Sequence, residues 1–309
     1  MIKIDLITGF LGSGKTTFIR KYADFLLRRG IRPGILENDY GAVNVDVMLL
    51  QELEARGCGV ESVAGACDQD CHRRRFKTKL IALGMSGYDR VLIEPSGIFD
   101  IDEFFDSLYE APLDSWYEIG SVIAVVDADL EDELSDNSEY LLASQAANAG
   151  TVLLSKTGQA GAEETGRTIA HLNRAMERVG CQRHFGGDVV TKDWDSLTDV
   201  DFEAIMNSGY IPESYVKRLT TPDGAYRSLY FLNLPLTAGE AQERAERLLR
   251  DESCGRVFRV KGFVDDGGWV ELNAAKKNIT LSPVAQGQKI IIVIGEKLNE
   301  EKIRSVLCG

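Results

Sequence analysis

The chain has 309 residues, 44% of them hydrophobic and 27% charged, which suffices for one large or two modest cores and leaves little room for extensive disorder. Lys and Arg number 35 against 48 Asp and Glu, and the resulting net charge of −13 repels nucleic-acid phosphates and anionic lipid surfaces, excluding a generic nucleic-acid binder. A spanning helix needs about 18 consecutive apolar residues; the longest apolar run, Lys289-Ile290-Ile291-Ile292-Val293-Ile294-Gly295, is only strand length. No membrane segment is therefore predicted, the charge-broken start Met1-Ile2-Lys3-Ile4-Asp5-Leu6-Ile7 reads as a strand and not as a signal peptide, and the reading is a cytoplasmic protein.

In chain order, short β-rich runs alternate with helical patterns, the signature of parallel strands joined by crossover helices. Strands are predicted at 2–8, 33–37, 90–94, 121–126 and 151–154, nearly continuously apolar as befits strands covered on both faces. Between the first two, Phe18, Ile19, Tyr22, Phe25 and Leu26 follow a helical period from Lys15 to Arg29, and Gly30 stops it. The stretch 192–228 has no clear periodicity, and Thr220-Thr221-Pro222-Asp223-Gly224 marks a boundary between a nucleotide-binding domain at 1–215 and a small α+β domain at 225–309. In the latter, strands are predicted at Tyr226–Leu234 and Arg256–Val264 around a helix at 238–250. A strand pair turning at Gly267-Gly268, a strand at Lys289–Ile294 and a helix at Asn299–Leu307 complete it. The fold class is α/β, a doubly wound, mostly parallel sheet of the P-loop type with a second, smaller α+β domain.

Gly9-Phe10-Leu11-Gly12-Ser13-Gly14-Lys15-Thr16-Thr17 satisfies G-x-x-x-x-G-K-[ST] between a predicted strand and a predicted helix, as a phosphate loop requires. Its backbone N–H groups cradle the β-phosphate, Lys15 reaches the β and γ oxygens, and the Thr16 hydroxyl ligates Mg²⁺. Arg90-Val91-Leu92-Ile93-Glu94-Pro95-Ser96-Gly97 supplies a strand-terminal carboxylate, Glu94, to hold Mg²⁺ through water, and a Gly97 N–H to sense the γ-phosphate. Glu37-Asn38-Asp39-Tyr40-Gly41 ends another strand, and Glu37 and Asp39 are candidates for Mg²⁺ or a second metal, the alternative being an ordinary Asn-Asp turn. Six cysteines are too few for a disulfide scaffold; Cys58, Cys67 and Cys71 cluster with His72, a donor set suited to a borderline divalent ion, whereas 181, 254 and 308 are scattered. The competing reading makes Cys58 and Cys67 small core residues and His72 the start of a basic helix, His72-Arg73-Arg74-Arg75, whose charges form a solvated face or meet an acidic partner. His171 and His184 are lone histidines with no catalytic signal near them, and Trp194 and Trp269 read as packing residues.

These motifs together resemble the CobW family of GTP-binding metallochaperones, a branch of the P-loop GTPases related to the hydrogenase and urease nickel-insertion GTPases. The family's G-F-L-G-[AS]-G-K-T-T resembles Gly9–Thr17, its N-E-F-G resembles Asn38-Asp39-Tyr40-Gly41 followed by Asp46, and its E-[TP]-[ST]-G resembles Glu94-Pro95-Ser96-Gly97. Its V-V-D-A is similar to Val125-Val126-Asp127-Ala128, and its C-terminal K-G-F and I-G segments are similar to Lys261-Gly262-Phe263 and Ile294-Gly295.

The chain departs from the pattern twice. The resemblance implies an N-K-x-D guanine reader after the fifth strand, whose Asp accepts from the guanine N1–H and amino group, but the aligned residues are Ser155-Lys156-Thr157-Gly158. Ser155 and Lys156 remain nucleotide-binding candidates. Either another carboxylate, Glu163 or Glu164, reads the base of GTP, or the site accepts ATP. The family's G-C-x-C-C falls at Gly65-Ala66-Cys67-Asp68-Gln69-Asp70-Cys71-His72, with the second thiol displaced. The resemblance implies a hydrolase, GTPase ahead of ATPase, using Mg²⁺ and a second transition metal (zinc, cobalt or nickel). Hydrolysis would be coupled to metal delivery or metallocofactor assembly in a client metalloenzyme, with turnover accelerated by the client or by a homodimer partner. The alternative is an ATP-dependent activator of a corrinoid-bearing or other cofactor enzyme without free metal transfer. A small-molecule kinase is disfavoured by the absence of an arginine-rich lid segment.

Overall fold

The computed structural model describes residues 1–38, 53–63, 69–97, 101–216, 226–276 and 278–308. They belong to two compact units, Met1–Arg218 and Leu219–Gly309.

Unit one is built on seven parallel strands, β1 (Ile2–Thr8), β2 (Pro33–Asn38), β3 (Gly59–Val63), β4 (Arg90–Pro95), β5 (Tyr117–Asp127), β6 (Thr151–Ser155) and β7 (Val189–Val190), in the spatial order β3-β2-β4-β1-β5-β6-β7. Side chains alternate between faces, so each strand serves two apolar layers. Ile4, Leu6, Leu36 and Ile93 face one cluster, and Ile7, Ile35, Leu92, Val125 and Leu153 face the other. The first layer is covered by α2 (Gln69–Met85), α3 (Ile101–Leu108), α4 (Leu113–Trp116), α5 (Asp136–Ala147) and α6 (Ala162–Arg178). The second is covered by α1 (Lys15–Arg28) and α7 (Asp199–Met206). From β1 the chain crosses one way to β2, and later strands add on the other side at β5. The crevice beyond the carboxyl end of β1 is thus the place where an open α/β sheet binds ligands.

Asp5 on β1 points into the α1 layer and is fully buried. It accepts from Arg90 Nε at 2.5 Å, from Tyr22 Oη at 2.9 Å and from the Ser121 N–H at 2.7 Å. Burial and the adjacent carboxylate push the Tyr22 phenol well above its ordinary range.

Several boundaries differ from the sequence reading. Strand β5 begins at Tyr117 instead of 121 because the exposed Glu118 and the half-buried Ile119 and Gly120 break the apolar run that marks the rest. Strands β3 and β7 went unpredicted: β3 is mostly half-exposed and β7 has two residues, so neither carries a periodic signal. The stretch 192–228, read as irregular, contains a 3₁₀ turn at Trp194–Ser196 and helix α7. Helix α7 is started by a capping box between Thr198 and Asp201, and Phe202 and Ile205 seat it beside Phe25 of α1.

Unit two is a five-stranded antiparallel sheet in the order β11-β10-β9-β12-β8. Its strands are β8 (Tyr226–Leu232), β9 (Arg256–Asp265), β10 (Trp269–Ala275), β11 (Asn278–Pro283) and β12 (Ile290–Glu296). Helices α8 (Ala238–Arg250) and α9 (Glu300–Cys308) pack through Ala245, Leu248 and Ile303 with Val260, Leu272 and Val293 of the sheet.

Candidate nucleotide site

The loop Gly9–Gly14 leaves the end of β1 and enters α1 directly. Gly9 admits no side chain, since a Cβ there would stand 2.2 Å from Val125 O. Gly14 is the N-terminal cap of α1 in the left-handed region at φ 98°, the conformation glycine adopts without strain. No side chain caps α1 and no acid lies in its first turn, in contrast to the Thr198 and Thr237 capping boxes of α7 and α8. The positive end of the helix is therefore left for an external anion. The buried hydroxyl of Ser13 has no hydrogen-bond partner among the described residues, as expected of a group awaiting a ligand oxygen. The Lys15 ammonium folds back onto the loop, donating to Gly9 O at 2.9 Å. Thr17 is exposed on the first turn of α1, and Gly12 lies at φ 77° with open space beside it.

On the β4 side, Thr16 Oγ1 donates to Glu94 Oε1 at 2.8 Å. Glu94 is in register with Glu37 of β2, and the two carboxylates are 5% and 3% exposed. Adjacent parallel strands bring such residues to about 5 Å, where two ionised carboxylates repel unless a cation lies near them. A hydroxyl and two buried acids converging beside an uncapped helix N-terminus form a donor set that fits Mg²⁺. Beyond Glu94 the chain closes directly on the phosphate loop: a Cβ on Gly97 would meet Leu11 N at 2.6 Å, and Gly97 O accepts from Gln145 Nε2 at 3.0 Å.

On the β6 side, a Cβ on Gly14 would lie 3.3 Å from the Trp194 ring and 3.6 Å from Ser155 Cβ. Trp194 meets Phe18 edge-on at 5.5 Å. It is a packing residue, but one that walls the phosphate loop, a role with no local sequence signal. The Lys156 ammonium is ion-paired with Asp127, the last residue of β5 and the neighbour of Ser155 in register.

The thiol cluster is separated by the fold. Asp39, Cys67 and Asp68 lie outside the described residues. Cys71 is half-buried and His72 buried in the first turn of α2, which follows β3, whereas Cys58 precedes β3. A strand of this length spans roughly 15 Å, so Cys58 sits by the amino ends of the strands, whereas the phosphate loop lies at their carboxyl ends. It is buried in the apolar layer with Leu53 and Ile35, and desolvation pushes its thiol up to about 12. Cys58 thus packs among core residues, with the whole of β3 between it and Cys71 and His72. Among the described residues no three His, Cys, Asp or Glu side chains stand close enough to hold an ion. Part of the basic face of α2 is ion-paired within the chain, Arg73 and Lys77 with Glu110 and Lys79 with Glu61. His171 pairs with buried Glu139 at 2.8 Å.

A parallel sheet with a phosphate loop between β1 and α1 and an acid at the end of a neighbouring strand defines the class of P-loop nucleotide-binding proteins. Residues 3–182 match the family described as CobW/HypB/UreG, nucleotide-binding domain, and the chain belongs to that family. It is 31% identical to the zinc chaperone YjiA of Escherichia coli K12 over 100% of this chain and 98% of that protein. It is 29% identical to the zinc chaperone YeiR of the same organism over 61% of this chain and 53% of that one. Among solved structures, Zn(II)-bound YjiA GTPase from E. coli is similar over 99% of this chain and 97% of that one at 22% identity, with a TM-score of 0.42. The hydrogenase maturation factor HypB of Archaeoglobus fulgidus is similar over 66% and 85%, at 17% identity and a TM-score of 0.41.

Proposed function

We propose that the chain is a nucleoside triphosphatase, with GTP as its substrate, whose hydrolysis gates delivery of a divalent transition metal to a client metalloenzyme. The observation that carries the hydrolase reading is the contact between Thr16 and Glu94 beside the uncapped start of α1. Bound Mg²⁺ would be held by the Thr16 hydroxyl and, through water, by Glu94, with Glu37 next to it, and would neutralise charge on the β and γ oxygens. Lys15 leaves the Gly9 and Phe10 carbonyls for the phosphates, and its charge stabilises the β–γ bridge as the terminal phosphoryl group passes to water. Glu94, nearly fully buried, orients that water, with Asp39 as its proposed helper. Because Gly97 touches Leu11, loss of the terminal phosphate is felt in the segment that follows Glu94.

The metal to be delivered is cargo. The kinship with zinc chaperones supports zinc ahead of cobalt or nickel, and Cys67, Cys71 and His72 are the proposed donors. A carrier site of three or more His, Cys, Asp or Glu ligands within this chain must draw at least one side chain from outside the described ones.

The deciding measurement is isothermal titration of chelator-stripped protein with GTP and with ATP, each with and without zinc, cobalt and nickel. Stoichiometric metal binding coupled to GTP and lost in Cys67→Ser or Cys71→Ser supports a metal carrier. Nucleotide binding indifferent to metal removes the carrier reading in favour of an activator of a cofactor-bearing enzyme.

A further inference from the structure

Where the family's guanine-reading aspartate would stand, this chain has Gly158, and the space its side chain would enter is already taken. A Cβ built on Gly158 would lie 2.6 Å from Asp193 Oδ2. We propose that Asp193, from the loop after β7, reads the base, and that the base is guanine. The inference rests on the reading of Gly9–Thr17 as a triphosphate site.

The sheet order determines which way the nucleoside lies. On the β4 side of the loop stand Thr16 and Glu94, and Gly97 closes against Leu11. On the β6 and β7 side Gly14 meets Trp194 and Ser155. A triphosphate whose terminal phosphate reaches Thr16 and Glu94 extends its nucleoside toward Ser155–Gly158 and Asp193.

Asp193 is held for the task. Its Oδ1 accepts from the Asp195 N–H at 2.9 Å, which orients the carboxylate. Its Oδ2 accepts no hydrogen bond from a described residue and is turned to Gly158. The segment is anchored to α1 by Trp194 against Phe18 and by Lys21 on Asp195 at 2.6 Å. The nearby cation Lys156 is engaged by Asp127. The two acids of the next helix are placed otherwise. Glu164 folds back on Gly161, whose Cβ would lie 2.6 Å from its Oε2, and stands 3.7 Å from Arg167, while Glu163 is exposed on the first turn of α6.

A carboxylate with a free oxygen selects by the donor pattern of the base edge. Guanine presents N1–H and its 2-amino group side by side, both donors, whereas adenine presents the N1 lone pair, which a carboxylate repels. Glycine at 158 is then what makes room for a carboxylate arriving from a different loop.

The test compares GTP, ATP, ITP and XTP binding to the full chain with Mg²⁺, by competition against a fluorescent nucleotide, for wild type, Asp193→Asn and Asp193→Ala. Wild type is expected to prefer GTP over ATP, and over ITP, which lacks the 2-amino group. In Asp193→Asn, which keeps an acceptor for the Asp195 N–H, GTP affinity should fall roughly 100-fold or more, while XTP, whose 2-oxo group accepts from the new amide, should bind more tightly than in wild type. If the asparagine variant does not fold, Asp193→Ala carries the test by losing the difference between GTP and ITP. Equal weakening of all four nucleotides, or an unchanged GTP:XTP ratio, would overturn the proposal. Wild type binding GTP and ATP alike would overturn it while leaving the phosphate loop standing, whereas wild type binding no triphosphate would overturn both.

Discussion

Thr16 Oγ1 and Glu94 Oε1, 78 residues apart in sequence, share a hydrogen bond of 2.8 Å that joins the start of α1 to the end of β4. The bond exists because β1 and β4 are parallel neighbours and both present their carboxyl ends to one crevice. It places Glu94 beside the phosphate loop, where the role proposed for it in organising metal and water requires it to be.

Replacing that carboxylate separates binding from turnover. Glu94→Gln keeps the size of the side chain and the contact with Thr16 but removes the charge. Nucleotide should still bind, while steady-state hydrolysis falls about 100-fold, the scale of a lost acid–base or water-positioning group. Phosphate release beside an equilibrium binding curve checks this, and undiminished turnover would take Glu94 out of the site.

Gly97→Ala tests the junction between β4 and the phosphate loop. The new methyl would meet Leu11 N at 2.6 Å, a backbone atom that cannot rotate away. Displacement of this kind costs about 1–3 kcal/mol, and the expected result is nucleotide affinity weakened by roughly tenfold or more, with circular dichroism unchanged. Wild-type affinity in this variant would show that the two segments move independently.

Stability of unit one should depend on a buried pair far from the phosphate loop. Asp5→Ala leaves the Arg90 guanidinium without its carboxylate partner in the α1 layer, a loss of about 3–5 kcal/mol, and a melting midpoint lower by about 10 °C is expected. Asp195→Ala, which removes a largely exposed partner of Lys21, should leave the midpoint nearly unchanged. Calorimetric scans of the two variants side by side make the comparison.

Cys58 gives a pH signature. Burial raises its thiol to about 12 in the folded chain, against about 8.5 in an unfolded one. The unfolded state therefore loses its proton first, so the contribution of Cys58 to stability is complete below about pH 8.5 and declines as pH rises toward 12. Denaturant midpoints measured from pH 8 to 10 should fall less steeply in Cys58→Ala than in wild type. Peptide mapping after brief alkylation at pH 8 should find Cys308, which is exposed, modified well before Cys58.

The phosphate loop and its helix were legible in the sequence because each of their requirements is local. Glycines allow the turn, Lys15 and Thr16 follow at fixed offsets, and the apolar period of Phe18, Ile19, Tyr22 and Phe25 turns one face of α1 to the sheet. The parallel strands were legible for a similar reason, since strands covered on both faces must be apolar throughout. The separation of the thiols was not legible: Cys58 and Cys71 look like neighbours in the sequence, but the whole of β3 runs between them.

Two relationships came from the folded chain alone. The register of Glu37 with Glu94 requires β2 and β4 to pair, although β3 and α2 lie between them in sequence. The meeting of Asp193 with Gly158 requires β6 and β7 to lie side by side and Trp194 to seat against Gly14. No periodicity or spacing encodes either contact, because each is set by strand order and helix packing, which depend on the cooperative burial of both faces of the sheet and not on any single segment.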